Sequence, residues 1–274
     1  RSEQASTVLD FLRNTCVEKG IDVVCGMQPL KIRGLDKGRD RFIIDDEYVC
    51  KNLVIAAGGM SAPKTGSDGS GYEIARFFGH TIVNPLPALC GIKCSDRFFK
   101  GLAGVRTDCR VYLTDENNKK VMSVAGNIQF NSYGVSGIPV FQISSEAGRM
   151  LESGIKPGIK IDLLPEISEK ELISFLSRTS ECRNRTGACR LYGILNKKLA
   201  EVINSECEAS ADRHKGESYP ERVVPVIKRF RVHPEGLCSF EEAQTSAGGV
   251  STAEIKSSSM ESKIVPGLFF TGEI

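Results

Sequence analysis

The fold class follows from one segment, Asn52-Leu-Val-Ile-Ala-Ala-Gly-Gly-Met-Ser-Ala-Pro-Lys-Thr-Gly-Ser-Asp-Gly-Ser-Gly-Tyr72. An apolar run from Leu53 to Ala57 ends abruptly in Gly58-Gly59, and a second glycine cluster follows before a helical pattern begins. A buried parallel strand ends in this way when the backbone must pass close to a bulky ligand. The segment therefore predicts an α/β domain that binds a ligand where this strand ends.

A second strand ends in the same manner near the other end of the chain. In Gly267-Leu-Phe-Phe-Thr-Gly-Glu273 an apolar run is followed by small residues and an acid. Two such strand ends indicate one side of a nucleotide-cofactor crevice. Glu273 is the most specific candidate, because a carboxylate accepts hydrogen bonds from hydroxyl groups more strongly than a neutral group does. The alternative is an unpaired acid on the surface.

Four groups of motifs, in the same order along the chain, resemble the BaiN/YhiN-like family of NAD(P)/FAD-dependent oxidoreductases. They are Ala56-Ala-Gly-Gly59 with Pro63-Lys-Thr-Gly66 and Gly69-Ser-Gly-Tyr72, then Phe130-Asn-Ser-Tyr-Gly-Val-Ser-Gly-Ile-Pro139, Thr245-Ser-Ala-Gly-Gly-Val250 and Met260-Glu-Ser-Lys-Ile-Val-Pro-Gly-Leu-Phe-Phe-Thr-Gly-Glu273. The resemblance covers nearly the whole chain. It implies FAD as the cofactor, NAD(P)H as the co-substrate and an organic molecule as the final acceptor.

The resemblance also implies a set of cofactor-binding residues near the flavin, its diphosphate and its ribityl chain. The set is Ala57, Gly58, Gly59, Lys64, Thr65, Gly66, Gly248, Gly249, Gly272 and Glu273. The residues alone leave alternatives open. Gly58 and Gly59 suit either close approach of a ligand, where a Cβ would collide, or a tight turn without a ligand. The loop from Thr65 could present N–H groups to an anion or serve as a flexible helix entry, and Gly248 could belong to an interdomain hinge.

Tyr133 is the one candidate for a catalytic side chain, since a phenol can donate a proton to a reduced substrate. The alternative is an aromatic ring packed in the sheet. His80 follows a helix end and is interpreted as structural. No Ser-His-Asp order, metal-ligand set or paired-carboxylate spacing is present in the sequence. The flavin would then carry the electrons, and the fold would decide what reaches it.

The pattern of elements predicts a partial doubly wound FAD-binding domain, residues 1–84 and 243–274, interrupted by an α+β insert over residues 85–242. The prolines of Asn84-Pro-Leu-Pro87 mark the crossing. We expect an antiparallel, barrel-like sheet over residues 85–164, because apolar and polar residues alternate from Val105 to Leu113. A helical part over residues 165–227 should follow, with Ser168 and Glu171 forming a capping box.

Five further local predictions follow from periodicity and turn residues. They are a helix over Ser6–Lys19, a strand over Ile21–Cys25, a turn at Asp36–Gly38, an exposed loop over Ser205–Tyr219, and a strand over Lys228–His233 that returns to the first domain.

Composition narrows the class of partner. Thirty-six lysines and arginines against 34 acids leave a net charge of +2, which gives no electrostatic reason to expect nucleic acid or an anionic membrane as a partner. A small-molecule substrate is expected instead, and the oligomeric state stays open. Ten scattered cysteines and three histidines far apart in sequence favour a reduced, cytoplasmic setting and no metal site.

The two ends depart from the family pattern. A strand with a G-x-G-x-x-G-type turn should precede Arg1, and a closing helix should follow Ile274. We therefore expect a piece of a longer protein, which would bind FAD weakly by itself and associate through an exposed sheet edge. Two other function classes stay open. One is a non-catalytic flavin-binding or scaffold module; the other is a flavoprotein acting on tRNA, against which the near-neutral charge argues.

Overall fold

The chain divides between Leu53 and Val54 into two units. The computed structural model describes residues 4–27, 31–34, 42–179, 187–209 and 216–274. The turn predicted at Asp36–Gly38 lies outside these residues. The structure does not test the predicted division into residues 1–84 with 243–274 and residues 85–242, which stays a prediction.

The first unit contains a helix and a small sheet. Helix α1 spans Ala5–Glu18, as predicted, and ends where Gly20 takes a φ of 64°. The strands form an antiparallel sheet in the order β1-β2-β3, with β1 Ile32–Gly34, β2 Phe42–Ile44 and β3 Tyr48–Cys50. The strand predicted over Ile21–Cys25 is wrong, because these residues are exposed and form no ladder. A single extended segment without a partner is not stable as a strand.

Six α-helices lie in the described part of the second unit. They are α2 Ser70–Phe77, α3 Phe99–Leu102, α4 Ile138–Glu152, α5 Glu169–Thr179, α6 Lys197–Ala209 and α7 Tyr219–Lys228. The capping box of α5 is present: the Ser168 backbone N–H donates to Glu171 Oε2 at 2.9 Å, and the Glu171 N–H donates to Ser168 Oγ at 3.3 Å. The exposed loop predicted from Ser205 is wrong in its first part, since α6 continues to Ala209.

One antiparallel sheet of seven strands forms the centre of the second unit. Its spatial order is β11-β10-β7-β8-β9-β6-β12. The strands are β6 Ile92–Cys94, β7 Arg106–Thr114, β8 Lys120–Asn131, β9 Gly134–Gly137, β10 Gly158–Asp162, β11 Phe230–Val232 and β12 Pro234–Leu237. The β7–β8 hairpin turns at Asn118, whose φ is 62°, as the sequence predicted.

This sheet is curved but not closed. Strands β11 and β12 follow each other with only His233 between them, yet they pair with opposite edges of the sheet. The two edges must therefore approach each other at His233. No pairing between them closes the described strands into a barrel, so the barrel-like insert is not confirmed. Strand β11 lies within the strand predicted over Lys228–His233 and pairs with β10 in this sheet, and its return to the first domain stays a prediction.

A continuous apolar core fills the space between this sheet and the helices. The inward residues of β7 alternate as predicted, with Cys109, Val111 and Leu113 at most 1% exposed. Helix α4 packs on β8, while α7 contacts β10, α5 and α6. Burying an aliphatic or aromatic side chain in such a core contributes about 1.5–3 kcal/mol. The core fixes the insert on which Tyr133 and the loop after β12 are held.

Two small sheets hold the segments that the sequence assigned to the cofactor. Strand β4 Leu53–Ile55 pairs with β14 Leu268–Phe270, and β5 Ile82–Ala88 pairs with β13 Thr245–Val250. The prolines expected to mark a domain crossing lie inside β5. A proline is tolerated there because a strand of a two-stranded sheet has one side without ladder hydrogen bonds.

Candidate functional site

The two strand ends that the sequence singled out lie side by side. The backbone N–H of Thr271, directly after β14, donates to the carbonyl of Ile55 at 3.1 Å, at the end of β4. The loops that follow the two strands, Ala56–Gly59 and Gly272–Glu273, therefore leave the same edge of this small sheet. This confirms the central geometric prediction from the sequence.

Gly59 is the point where these loops meet. A Cβ on Gly59 would lie 2.7 Å from Ser246 Oγ, 2.8 Å from Glu273 Oε1 and 3.0 Å from the Tyr72 hydroxyl. The first two distances are shorter than real Cβ contacts and the third is tighter than most of them, so only glycine fits without a shift. The absent side chain at Gly59 thus makes room for protein groups that converge from three segments.

Ser246 fixes the backbone after Gly59. Its Oγ accepts hydrogen bonds from the Met60 N–H at 3.0 Å and the Ser61 N–H at 3.2 Å, and lies 3.0 Å from Ser61 Oγ. Tyr72 is 3% exposed and also shares a hydrogen bond with Ser246. Burial, and then the charge of Glu273, raises the pKa of Tyr72. The phenol therefore stays protonated and available as a donor.

The carboxylate of Glu273 is exposed and held in place by two donors. Oε2 accepts from Thr245 Oγ1 at 2.7 Å, and Oε1 accepts from the Ser246 N–H at 2.8 Å. A carboxylate has about four acceptor positions, so about two stay open toward solvent. The side chain is therefore oriented in advance and keeps the capacity to accept further hydrogen bonds from a ligand.

The loop that carries Lys64, Thr65 and Gly66 is a tight turn. Ala62 has a φ of 52°, and both the N–H and the hydroxyl of Thr65 bond its carbonyl at 2.8 Å. Gly66 has a φ of 101° and nothing within 4 Å of its missing Cβ. Lys64 is exposed, and its charge helps to lower the pKa of Glu241 after the larger effects of Ser239 and the Glu241 backbone.

The remaining predicted glycines divide into two groups. At Gly248 and Gly249 a Cβ would lie 2.5 Å from Asn84 O and 2.9 Å from the Ile274 carbonyl carbon, so these glycines serve the β13 bulge against β5. Gly58, with a φ of 74°, meets Ser67 Oγ in the same way at 2.7 Å. Gly66 and Gly272 instead face open space. These two are the positions where a ligand could approach bare backbone.

The residues at the paired strand ends fit a flavin dinucleotide, because they leave backbone open to a ligand and offer a carboxylate that can accept hydrogen bonds from it. Exposed Ala57, the open Gly66 and Gly272, and the oriented Glu273 carboxylate surround the paired strand ends. A cavity of about 460 Å³ lies beside them, lined by Val250, Thr252, Ile255, Ser257, Met260, Phe270, Thr271, Gly272 and Ile274. Small residues and a strand-end acid around such a space suit a flat ring system and its polyhydroxyl chain.

Tyr133 lies apart from this cluster, in the hairpin between β8 and β9. It is 37% exposed, so it is not an aromatic ring packed inside the core. Its neighbours are Asn131, Cys238 and the backbone of Gly91. Sequence reasoning missed Cys238 as its partner, and also Ser246 and Tyr72 at the strand ends. The hydroxyl pair Thr245-Ser246, at the start of the motif that contains Gly248, was the available signal.

A second cavity, of about 620 Å³, lies between the loop after β12 and helix α4. Apolar side chains form most of its wall and three carboxylates lie at it; the lining residues are Leu86, Pro87, Gly148, Leu151, Glu152, Glu235, Gly236, Leu237, Cys238, Ser239, Phe240 and Glu241. The carbonyl of Phe240 accepts from the Ala62 N–H at 3.0 Å. This cavity therefore adjoins the loop that carries Lys64 and Gly66.

His80 is held in a buried hydrogen-bonded network. An acid, a histidine and a serine follow one another in it, as in a hydrolytic triad, but the serine is not free to react. Nδ1 lies 3.0 Å from Glu254 Oε2, and Nε2 lies 2.8 Å from Ser262 Oγ. Ser262 is 2% exposed, and its Oγ already accepts the N–H groups of Ile264 and Val265. With both lone pairs used, this oxygen is not a nucleophile, in agreement with the structural interpretation of His80.

In the described ranges, no group of three His, Cys, Asp or Glu side chains is arranged to hold a metal ion. None of the helices that the structure describes has both the length and the apolar character of a membrane span.

The fold and the paired strand ends define a Rossmann-like α/β protein. The sequence profile of the HI0933-like protein Rossmann domain matches residues 1–274. The chain belongs to this family, which confirms the BaiN/YhiN-like resemblance drawn from its motifs.

Individual relatives are named for reductive chemistry. The chain is 31% identical over 281 residues to the 3-dehydro-bile acid delta(4,6)-reductase of Clostridium scindens, covering 100% of this chain and 68% of the relative. It is 28% identical over 284 residues to the ribosomal RNA dihydrouridine synthase of Haemophilus influenzae, with 99% and 67% covered. The Escherichia coli protein of that name is 28% identical over 283 residues, with 99% and 66% covered. The chain thus spans about two thirds of the length of each relative.

Proposed function

We propose that the protein is an FAD-dependent oxidoreductase that uses NAD(P)H to reduce a carbon–carbon double bond conjugated with a carbonyl in a small organic molecule. The relatives' names support this choice, since a delta(4,6)-reductase and a dihydrouridine synthase both add hydrogen across a carbon–carbon double bond. The observation that carries the proposal is the meeting of two strand ends at Gly59, with Glu273 oriented beside them.

The roles of the chain's own residues follow from their contacts. Glu273 would accept hydrogen bonds from the ribityl hydroxyls with its free acceptor positions, while Thr245 and Ser246 hold it. Gly66 and Gly272 would let backbone approach the cofactor, and Lys64 would supply a positive charge near it. The bound cofactor supplies hydride transfer. The protein supplies position and a place from which water is excluded.

The apolar cavity lined by Cys238 and Phe240 is the proposed place for the substrate. Its wall of leucine, proline and phenylalanine side chains suits a flat ring compound. Three glutamates lie at the cavity and no lysine or arginine lines it, which favours a neutral or cationic molecule over an anion. We place the activity in the cytoplasm, on the strength of buried thiols such as Cys90 and Cys109.

The absorbance spectrum of the full-length protein tests the cofactor. We expect flavin absorbance after purification or after reconstitution with FAD, bleached by NAD(P)H under anaerobic conditions. A protein that binds no flavin in either experiment contradicts the proposal. Flavin that binds but is never reduced would instead favour the alternative of a non-catalytic flavin-binding or scaffold module.

Glu273→Gln in the full-length protein tests the site. The amide cannot accept from both donors, and it loses the charge that strengthens them, so we expect FAD affinity to fall about tenfold, the equivalent of one charge-assisted hydrogen bond. Glu116→Gln is the matched control, because Glu116 is exposed in the β7–β8 turn. Equal FAD affinity for both variants, measured by fluorescence titration, would remove Glu273 from the site.

A ribosomal RNA substrate is the second candidate, favoured only by the names of two relatives. A net charge of +2 and three glutamates at the cavity oppose binding of a polyanion. Salt-dependent binding of a ribosomal RNA fragment by the full-length protein, absent for a free enone, would favour this candidate.

A further inference from the structure

A chain of polar side chains crosses the β8–β9 hairpin and ends at Tyr133. Gln129 Nε2 donates to Asn131 Oδ1 at 3.0 Å, and Asn131 Nδ2 donates to Ser136 Oγ at 2.7 Å and to the Tyr133 hydroxyl at 3.4 Å. The hairpin register, with Asn131 opposite Gly134, fixes the backbone on both sides of Tyr133. The contact with Asn131 therefore orients the phenol of Tyr133, and part of the side chain is exposed to solvent.

Cys238 holds the phenol from the other side. The Cys238 N–H donates to Gly91 O at 2.9 Å, and a Cβ on Gly91 would lie 2.9 Å from the Tyr133 hydroxyl and 3.0 Å from Cys238 Sγ. Thiol and phenol share a hydrogen bond in the space that Gly91 leaves. Cys238 is 2% exposed whereas Tyr133 is 37% exposed, so the phenol is the member of the pair that reaches solvent.

The surroundings keep the proton on the phenol at neutral pH. Burial, followed by the charge of Cys238 and more weakly of Glu242, raises the pKa of Tyr133 to about 12. Burial, and then Glu242, also raises the pKa of Cys238. Their shared hydrogen bond raises the pKa of Tyr133 and lowers that of Cys238, so the phenol is its donor and the sulfur of Cys238 its acceptor.

The pair is connected to the proposed cofactor loop and to the proposed substrate cavity. Cys238 lines that cavity. Two residues after Cys238, the carbonyl of Phe240 accepts a hydrogen bond from the Ala62 N–H at 3.0 Å. Two residues span at most ~7 Å, so Cys238, the partner of Tyr133, lies close to the loop from Gly58 to Gly66.

We propose that Tyr133 is the general acid of the reduction and that Cys238 and Asn131 position it. This inference rests on the proposed function, which supplies the reductant. The bound cofactor would supply hydride to the β-carbon of the enone, which would place the displaced π electrons on the carbonyl oxygen as an enolate. The phenol O–H bond of Tyr133 breaks as its proton forms a C–H bond at the α-carbon. Solvent then returns a proton to the exposed phenolate.

Tyr133→Phe in the full-length flavoprotein separates the two half-reactions. We expect reduction of the cofactor by NAD(P)H to stay within twofold of wild type, since no proton donor is needed there. Reoxidation by a conjugated enone should slow by about 10²–10⁴-fold, the usual contribution of a general acid. Tyr48→Phe is the control, because Tyr48 is 41% exposed and lies in the first unit.

A second measurement does not depend on turnover. In protein labelled with ¹³C at the tyrosine hydroxyl carbon, the resonance lost in Tyr133→Phe should keep its protonated shift at pH 11, where an ordinary tyrosine with a pKa near 10 has titrated. Cys238→Ala should let that resonance titrate at lower pH. Gly91→Ala, which forces a Cβ between thiol and phenol, should slow enone reduction, whereas Gly101→Ala, in helix α3 and with nothing within 4 Å of its Cβ position, should not.

The outcomes distinguish this inference from the proposed function. A protein without flavin, or without reduction by NAD(P)H, contradicts the function itself. An active enzyme whose Tyr133→Phe variant is reoxidised at the wild-type rate overturns the acid role alone, and a Tyr133 resonance that titrates identically in Cys238→Ala overturns the positioning role of Cys238. Loss of enone reduction in Tyr133→Phe with an unchanged cofactor half-reaction supports it.

Discussion

Gly59 shows what a sequence motif locates and what it leaves out. The glycine pair after an apolar run predicted a close approach at this residue, and the structure places three side chains there. Two of them, Ser246 and Glu273, lie more than 180 residues away in sequence, as the contact from Met60 to Ser246 illustrates. Only the pairing of β4 with β14 and of β5 with β13 brings them together. Local patterns contain no information about that pairing.

Gly59→Ala should destabilise the strand-end cluster. The added Cβ would lie 2.7 Å from Ser246 Oγ and 2.8 Å from Glu273 Oε1, and overpacking of this kind costs about 1–3 kcal/mol in unfolding free energy. Gly101→Ala is the control, because nothing lies within 4 Å of its Cβ position in helix α3. Urea unfolding of both variants measures the difference. Equal midpoints would mean that the three segments do not meet at Gly59.

Helix α5 shows a sequence rule acting at the scale of one element. Its capping box was predicted from four residues, because the signal is local and both partners are within one turn. The Ser168 hydroxyl first, and then its backbone N–H, lower the pKa of Glu171 below its ordinary 4.5. The stabilisation from this carboxylate is therefore complete above about pH 4.5 and is lost as pH falls through the lowered pKa.

Ser168→Ala should destabilise the protein at pH 7 and have less effect in acid. The variant lacks the cap hydroxyl, whereas Ser168→Thr keeps it. In wild type the Glu171 contribution disappears as the carboxyl protonates, so the difference in urea midpoint between wild type and Ser168→Ala should narrow toward pH 3. A difference that stays constant with pH would mean that Glu171 takes no part in the cap.

Elements without such local signals were harder to predict. Helix α6 extends through Ser205 to Ala209, where polar residues indicated a loop. Cys207, at 1% exposed, joins the core and keeps this last turn helical. Tertiary packing thus overrides a polar composition, as it commonly does for secondary-structure preferences. The strand predicted over Ile21–Cys25 is wrong for the opposite reason. The segment is rich in apolar residues, but it pairs with no strand that the structure describes.

At the scale of the whole molecule, the alternation in β7 and β8 predicted antiparallel strands but not how the sheet ends. The order β11-β10-β7-β8-β9-β6-β12 places two consecutive strands at opposite edges. Period-two patterns fix which face of a strand is buried but not its neighbours. Whether a curved sheet closes into a barrel therefore depends on contacts between residues that are distant in sequence. Period-two patterns do not contain those contacts, so they could not decide between an open sheet and a barrel.

The distribution of charge around the substrate cavity gives the last prediction. Glu152, Glu235 and Glu241 line a mostly apolar cavity with no lysine or arginine in its lining, and the charge of Lys64 adds to the larger effect of Ser239 in lowering the pKa of Glu241. An anionic substrate should therefore be reduced less efficiently than its neutral counterpart. For a ring enone that carries a carboxylate, we expect the methyl ester to have a kcat/KM roughly tenfold above that of the free acid, since exposed charges contribute about 0.2–1 kcal/mol each. Changing the three glutamates to glutamine should remove this preference, and 1 M salt should weaken it in the unmodified protein because the charges are screened. If the acid and the ester are reduced equally well by the unmodified protein at low salt, the cavity beside Cys238 is not where the substrate binds.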